Sequence, residues 1–186
     1  MADYAPNYTG RYKVRYSSLG REHTMQFRQA RANGTTANAA LIAAVTSFLD
    51  ALATLRFTDW TVIDAQFAAP DQDFFLASTA PTPVPGTAVL PTVPSVYWPR
   101  NLSFPGRSAN GGRGIVYVYG LLLTMTDNAA NGDYRFTAAE NVAVSNAVTA
   151  LNGLSVPIVA NDDGDLTFYA YANVGFNDYW LGEARG

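Results

Sequence analysis

Cysteine is absent from the 186 residues, which excludes zinc-thiolate centres, thiol catalysis and disulfide scaffolds. Histidine occurs once, at His23, so a histidine-rich metal site is excluded and any Ser-His-acid triad would have to use that residue as its base. No GxSxG elbow accompanies it, and it falls on the apolar side of an alternating segment, where a packed histidine is the simpler reading. Charge is also scarce: 15% of residues are Asp, Glu, Lys or Arg, against ~25% in an ordinary soluble domain. Some of the surface is therefore expected to be uncharged and covered by partners. The balance of 12 basic and 15 acidic residues gives a net charge of -3, which excludes a polycationic, histone-like grip on nucleic acid but leaves local basic faces. No apolar run reaches the ~18–20 residues of a membrane span, since the longest is interrupted by Gly120. The opening MADYAPNYTG has neither a basic start nor an apolar stretch, so no secretory leader is expected, and synthesis in the cytoplasm is.

What the chain does have is apolar and aromatic residues: 48% and 13%, with 11 Tyr and 10 Phe. That is enough to bury one core over residues 1–186, expected to form a single domain. The clearest local signal is RYKVRY, where Tyr12, Val14 and Tyr16 alternate with Arg11, Lys13 and Arg15 at the two-residue period of a half-buried strand. A second alternating run sets His23, Met25 and Phe27 against Thr24, Gln26 and Arg28, and the two read as a hairpin. From Thr35 or Thr36, Leu41, Val45, Phe48, Leu49 and Leu52 recur at helical spacing, which predicts a helix over about residues 36–54. TAAE at Thr137 to Glu140 is a capping box, and the stripe of Val144, Val148 and Leu151 predicts a second helix over about 138–152. Strands are further expected in DWTVIDAQF, FFLAS, VPIVA and DLTFYAY, and the apolar IVYVYGLLL reads as a central strand covered on both faces. The fold class is therefore α+β, two helices packed on a mostly antiparallel sheet. The two halves share an order of strands, helix and short strands, which is either a duplicated unit or a coincidence of a mixed fold.

Between these signals, Pro81, Pro83, Pro85, Pro91, Pro94 and Pro99 defeat helix and ladder alike, so residues 79–99 read as an extended arm or loop that could lie across a neighbouring subunit. GRSANGGRG lacks the Lys-Ser/Thr of a nucleotide-hydrolysing loop and precedes a strand, leaving a turn or a phosphate-contacting loop through Arg107 and Arg113. No acidic residue lies between Asp73 and Asp127, which favours an anion there. Arg11, Lys13, Arg15 and Arg28 form the best basic surface: a solvated sheet face, or one that meets phosphate without regard to sequence. Asp162, Asp163 and Asp165 concentrate hard oxygen ligands for Ca2+ held between subunits, although Asp-Gly is also an ordinary hairpin turn.

LSFPGRSANGGRGIVYVYG, YRFTAAENVAV and YANVGFNDYW resemble segments of small coat-like (capsid) proteins of environmental small-genome viruses. The quoted segments make up about a fifth of the chain. It implies a virion structural protein, made in the host cytoplasm, that self-assembles with copies of itself and encloses nucleic acid. The N-terminus departs from many small-virus coats in having no polybasic arm, so genome contact would have to come from folded faces. The other reading is a non-catalytic carbohydrate- or ligand-binding module that displays Trp60, Trp98 and Trp180. An enzyme is not expected, because nothing picks a working pair out of the 15 acids.

Overall fold

Alternation along RYKVRY puts every second side chain on one side of the backbone, and the apolar set is completely buried: Tyr12, Val14 and Tyr16 are all 0% exposed. A computed structural model describes residues 9–30, 39–68, 73, 75–76, 80–90, 98–107, 113–124, 126–128, 133–153 and 167–168. In it RYKVRY lies within β1 (Thr9–Ser18), which pairs antiparallel with β2 (Arg21–Ala30) so that Tyr12 faces Phe27, Val14 faces Met25 and Tyr16 faces His23. The connecting turn is Leu19-Gly20, with φ of 53° and 70°, the left-handed geometry of a two-residue hairpin loop. Leucine is an unusual occupant of that region, and the Leu19 N–H donates to Asp59 Oδ2 at 2.8 Å.

Helix α1 (Ala39–Ala51) buries Leu41, Val45, Phe48 and Leu49, the stripe expected from the sequence, and Leu52 follows in the turn beyond it. It is shorter than the expected 36–54; Thr35 and Thr36 lie outside the described residues. Strands β3 (Thr61–Ala68) and β4 (Phe75–Leu76) complete a four-stranded sheet in the order β2-β1-β3-β4. β3 carries a bulge: Asp64 opposes Arg15 but Val62 opposes Tyr16, so Ile63 is the extra residue. Ile63 is consequently 42% exposed, whereas strict alternation would have put it beside the buried Ala65 and Phe67.

Strands β5 (Trp98–Arg107) and β6 (Arg113–Leu123) form the second hairpin. β6 is not covered on both faces as its composition suggested. Among the described residues it ends its sheet, and it alternates between buried Val116 and Val118 and exposed Ile115 and Tyr117. A bulge then shifts the register, since Leu102 faces Val118 while Arg100 faces Leu121. Gly120, at φ 68°, supplies the left-handed residue this requires, and the shift returns Leu121 and Leu123 to the core. After β7 (Thr126–Asn128) and β8 (Asp133–Arg135), which pair with each other, α2 (Ala138–Gly153) starts at the expected capping box. The Thr137 N–H donates to Glu140 Oε2 at 2.8 Å and the Glu140 N–H to Thr137 Oγ1 at 3.2 Å. The same carboxylate accepts from the N–H and hydroxyl of Thr124, fastening the end of β6 to the start of α2. Finally β9 (Thr167–Phe168) pairs with β5, giving the order β6-β5-β9.

The four-stranded and three-stranded sheets and both helices contribute to one core, and α1 packs on α2. Phe48 joins the parts, meeting Phe27 of the first sheet and Phe104 of the second edge-to-face at 6.0 and 5.1 Å. The two halves also repeat a topology: hairpin, helix, then a strand returning antiparallel to the first hairpin strand, β3 to β1 and β9 to β5. Expected strand VPIVA lies outside the described residues.

Of the proline-rich segment, residues 80–90 form a loop fastened to the rest of the chain, whereas Trp98 and Pro99, expected in the arm, belong to β5, where Pro99 stands opposite Leu122 near the strand's start. The Thr87 and Ala88 N–H groups donate to the Ala53 and Arg56 carbonyls at 3.0 and 2.9 Å, and the Val84 N–H donates to Asp50 Oδ1 at 2.7 Å. Gly86 packs so closely on the Arg56 and Phe57 carbonyls that a side chain there would collide with them. At the centre is Arg56, 1% exposed, whose Nε donates to the Leu49 carbonyl at 3.0 Å and whose Nη2 donates to the Val84 carbonyl. Replacing Arg56 by Ala removes both charge-assisted bonds and is expected to cost about 3 kcal/mol in urea unfolding. It should also open residues 80–90 to limited proteolysis; an unchanged cleavage pattern would show that other contacts hold the loop.

Candidate nucleic-acid interface

The side of the first sheet turned away from the core carries the polar half of each alternating strand, and register arranges those residues in rows. At the end nearest Gly10, Arg28, Arg11 and Ala68 stand side by side; next come Gln26, Lys13 and Gln66; then Thr24, Arg15 and Asp64. Arg11 and Gln26 are exposed, and Lys13 and Gln66 are partly buried.

Charge is not uniform down these rows. Arg15 donates to Asp64 at 2.6 Å and to Glu22, its diagonal neighbour on β2, at 3.0 Å. The hydrogen bond to Glu22 and the nearby charge of Asp64 raise its already high pKa further. Two carboxylates thus engage the cation at the turn end of the face. The sequence placed Arg11, Lys13 and Arg15 together as equals; the structure keeps them on one face but commits Arg15 to an ion-pair cluster. Asp64 was the missed residue. Its signal was an acid at the same parity as Gln66 on a neighbouring strand, legible only once the β1–β3 register is known.

For Arg28, Arg107 and Arg113 the structure describes backbone position alone. Arg28 is opposite Arg11, while Arg107 and Arg113 face each other at the end of the β5–β6 hairpin, in the other sheet. Asp162, Asp163 and Asp165 lie outside the described residues, as does Trp180. Among the described residues no group of three or more His, Asp or Glu gathers as a metal site, and no helix is long and apolar enough to cross a membrane.

On the core side, His23 belongs to a run of rings. It packs against Tyr16 at 5.4 Å and Tyr119 at 5.7 Å; Tyr119 stacks on Tyr117, and Tyr16 stacks on Trp60 at 4.8 Å. The Tyr16 hydroxyl accepts from the Tyr119 N–H at 2.7 Å and donates to its carbonyl at 3.2 Å, and burial raises the pKa of this phenol. Trp60 is 4% exposed, with the Arg56 guanidinium 4.5 Å from its ring centroid, so it offers no platform for a sugar. A cleft of about 480 Å³ does open beside it, between the start of β3 and the proline-rich loop, walled by Ile63, Pro81 and Val84.

No family model matches the chain, and neither a known curated protein nor a solved structure matches it.

Burial, and secondarily the charge of Arg21, lower the His23 pKa in the folded state. The unfolded chain, with a value of about 6.5, therefore takes up the proton first. Stability is full above that value and falls as pH drops through the folded pKa. Urea midpoints should decrease from about pH 7.5 to about pH 5.5, above the carboxylate range, and His23→Phe should flatten the decrease. A wild-type midpoint that rises over this interval contradicts the desolvated imidazole.

Proposed function

We propose that this protein is a coat subunit, a virion structural protein that assembles with copies of itself into a shell enclosing nucleic acid, and that it is made in the host cytoplasm. The observation that carries the reading is the state of β6. This strand ends its sheet among the described residues; its C-terminal half is met by Leu55 and Arg56 of the same chain, and its N-terminal half presents Ile115 and Tyr117 at 45% and 43% exposure. Long edges with large apolar side chains are surfaces that monomers blunt with charge, and here charge is scarce. The cationic rows of the first sheet support the second half of the reading. Arg11 and Lys13, flanked by Gln26 and Gln66, offer phosphate both charge and amide donors without a sequence-specific pattern.

A ligand-binding module is the second reading, and the cleft beside Trp60 favours it. The two separate by size. Negative-stain microscopy and light scattering on the purified chain should show closed shells or filaments, and a 20.0 kDa monomer at all concentrations would overturn the coat reading.

Changing Arg11 and Lys13 together to Gln should lower the nucleic acid recovered with the particles and flatten the salt dependence of binding by roughly 0.7–0.9 per lost phosphate contact. Arg15→Gln should leave nucleic-acid content unchanged, because Asp64 and Glu22 already engage that guanidinium. If Arg15→Gln reduces the content as much as the double variant, the ion-pair cluster does not persist in the assembled state.

A further inference from the structure

The outer edge of the first sheet is β2, and its sequence is self-complementary. In a two-residue hairpin the residues flanking the loop form a hydrogen-bonded pair, and hydrogen-bonded pairs alternate from there. Ser18 and Arg21 flank the loop, so the odd-numbered residues of β2 bond to β1. The backbone groups of Glu22, Thr24, Gln26 and Arg28 point to the other edge, where no strand is paired among the described residues.

We propose that this edge pairs antiparallel with β2 of a second copy, about a two-fold axis at Met25. The inference rests on the coat reading and specifies one of its contacts. Such an axis keeps inner positions opposite inner ones and outer opposite outer. It sets Glu22 opposite Arg28 of the second copy, Thr24 opposite Gln26, and His23 opposite Phe27. Every outward backbone group from Glu22 to Arg28 then meets a mate, and the opposite charges meet twice, once at each end.

The neighbouring registers lose this match. Sliding two residues toward the turn puts Glu22 opposite Gln26 and Thr24 opposite itself. Sliding two residues the other way puts Glu22 opposite Ala30 and Gln26 opposite itself. Glu22 can face position 28 of the second copy, because its side chain is 65% exposed and its bond to Arg15 leaves further acceptor positions on the oxygens. Across the joint the charges would run Arg11, Arg28, then Glu22, Arg15 and Asp64 of the second copy.

The absence of native cysteine gives a clean test. Directly opposite hydrogen-bonded residues have Cα atoms about 5.5 Å apart, within reach of a disulfide. Positions 24 and 26 of one strand are too widely spaced to bridge each other. In the full-length chain, Thr24→Cys combined with Gln26→Cys, oxidised with diamide, should give a covalent dimer of twice 20.0 kDa on a non-reducing gel, and neither single variant should. Cross-linking by Thr24→Cys alone or Gln26→Cys alone identifies a slid register and overturns the charge match. Assembled particles with no cross-link in any variant overturn the edge pairing and leave the coat reading standing on other surfaces. A monomer with no cross-link overturns both. Glu22→Arg should abolish the dimer, and adding Arg28→Glu should restore it; circular dichroism that matches the parent protein rules out unfolding as the cause of the loss.

Discussion

A buried guanidinium organises this fold. Removing Arg56 from water is costly, and the cost appears as a pKa lowered to about 10, which still leaves the group charged at neutral pH. Its surroundings offset that cost in three ways. The Leu49 carbonyl lies in the last turn of α1, where the helix dipole favours a cation. The Val84 carbonyl brings in the proline-rich loop, and the indole of Trp60 presents its ring. From Trp60 the contacts continue to Tyr16 and through its hydroxyl to Tyr119, so one charge links a helix end, a loop and both sheets. Lysine would serve poorly here, since a point charge cannot bond two carbonyls in a fixed plane while stacking on a ring.

The same physics sorts the first sheet. Tyr12, Val14 and Tyr16 must enter the core, so Arg11, Lys13 and Arg15 must leave it, and three cations on one strand face would repel one another. Asp64 and Glu22 resolve the problem at the turn end, where both engage Arg15.

Local signals carried well from sequence to structure. The RYKVRY alternation, the helical stripe from Leu41 to Leu49 and the Thr137–Glu140 capping box each depend on residues a few positions apart, and each appears as read. The failures share a cause as well. The bulges at Ile63 and around Gly120 each insert one residue against a partner strand, which reverses the face of everything beyond them. No window along the chain contains that partner. IVYVYGLLL looked buried on both sides because the reading ran straight through a register shift. Arg56 was hidden for a related reason: a lone arginine between Leu55 and Phe57 gives no signal until residues 80–90 fold back over it.

The repeated topology bears on where an assembly could form. In each half the returning strand joins the first strand of the hairpin, β3 beside β1 and β9 beside β5. The second hairpin strand is therefore left at the end of its sheet, and those strands, β2 and β6, are long. At the opposite ends lie β4 and β9. The two long edges cannot satisfy each other, because β6 crosses the hairpin end on its inner side, where Ser18 Oγ donates to the Gly120 carbonyl and His23 stacks on Tyr119. That packing leaves β2 without a second strand among the described residues, while the C-terminal half of β6 is met within the chain by the Arg56–Leu121 bridge and the Leu122 N–H bond to the Leu55 carbonyl, so its N-terminal half is the part still open. A chain built this way must blunt its long edges or use them. β6 bears Ile115 and Tyr117 where a blunted edge would carry charge, and β2 bears an acid and a base spaced to match their own reversed copy.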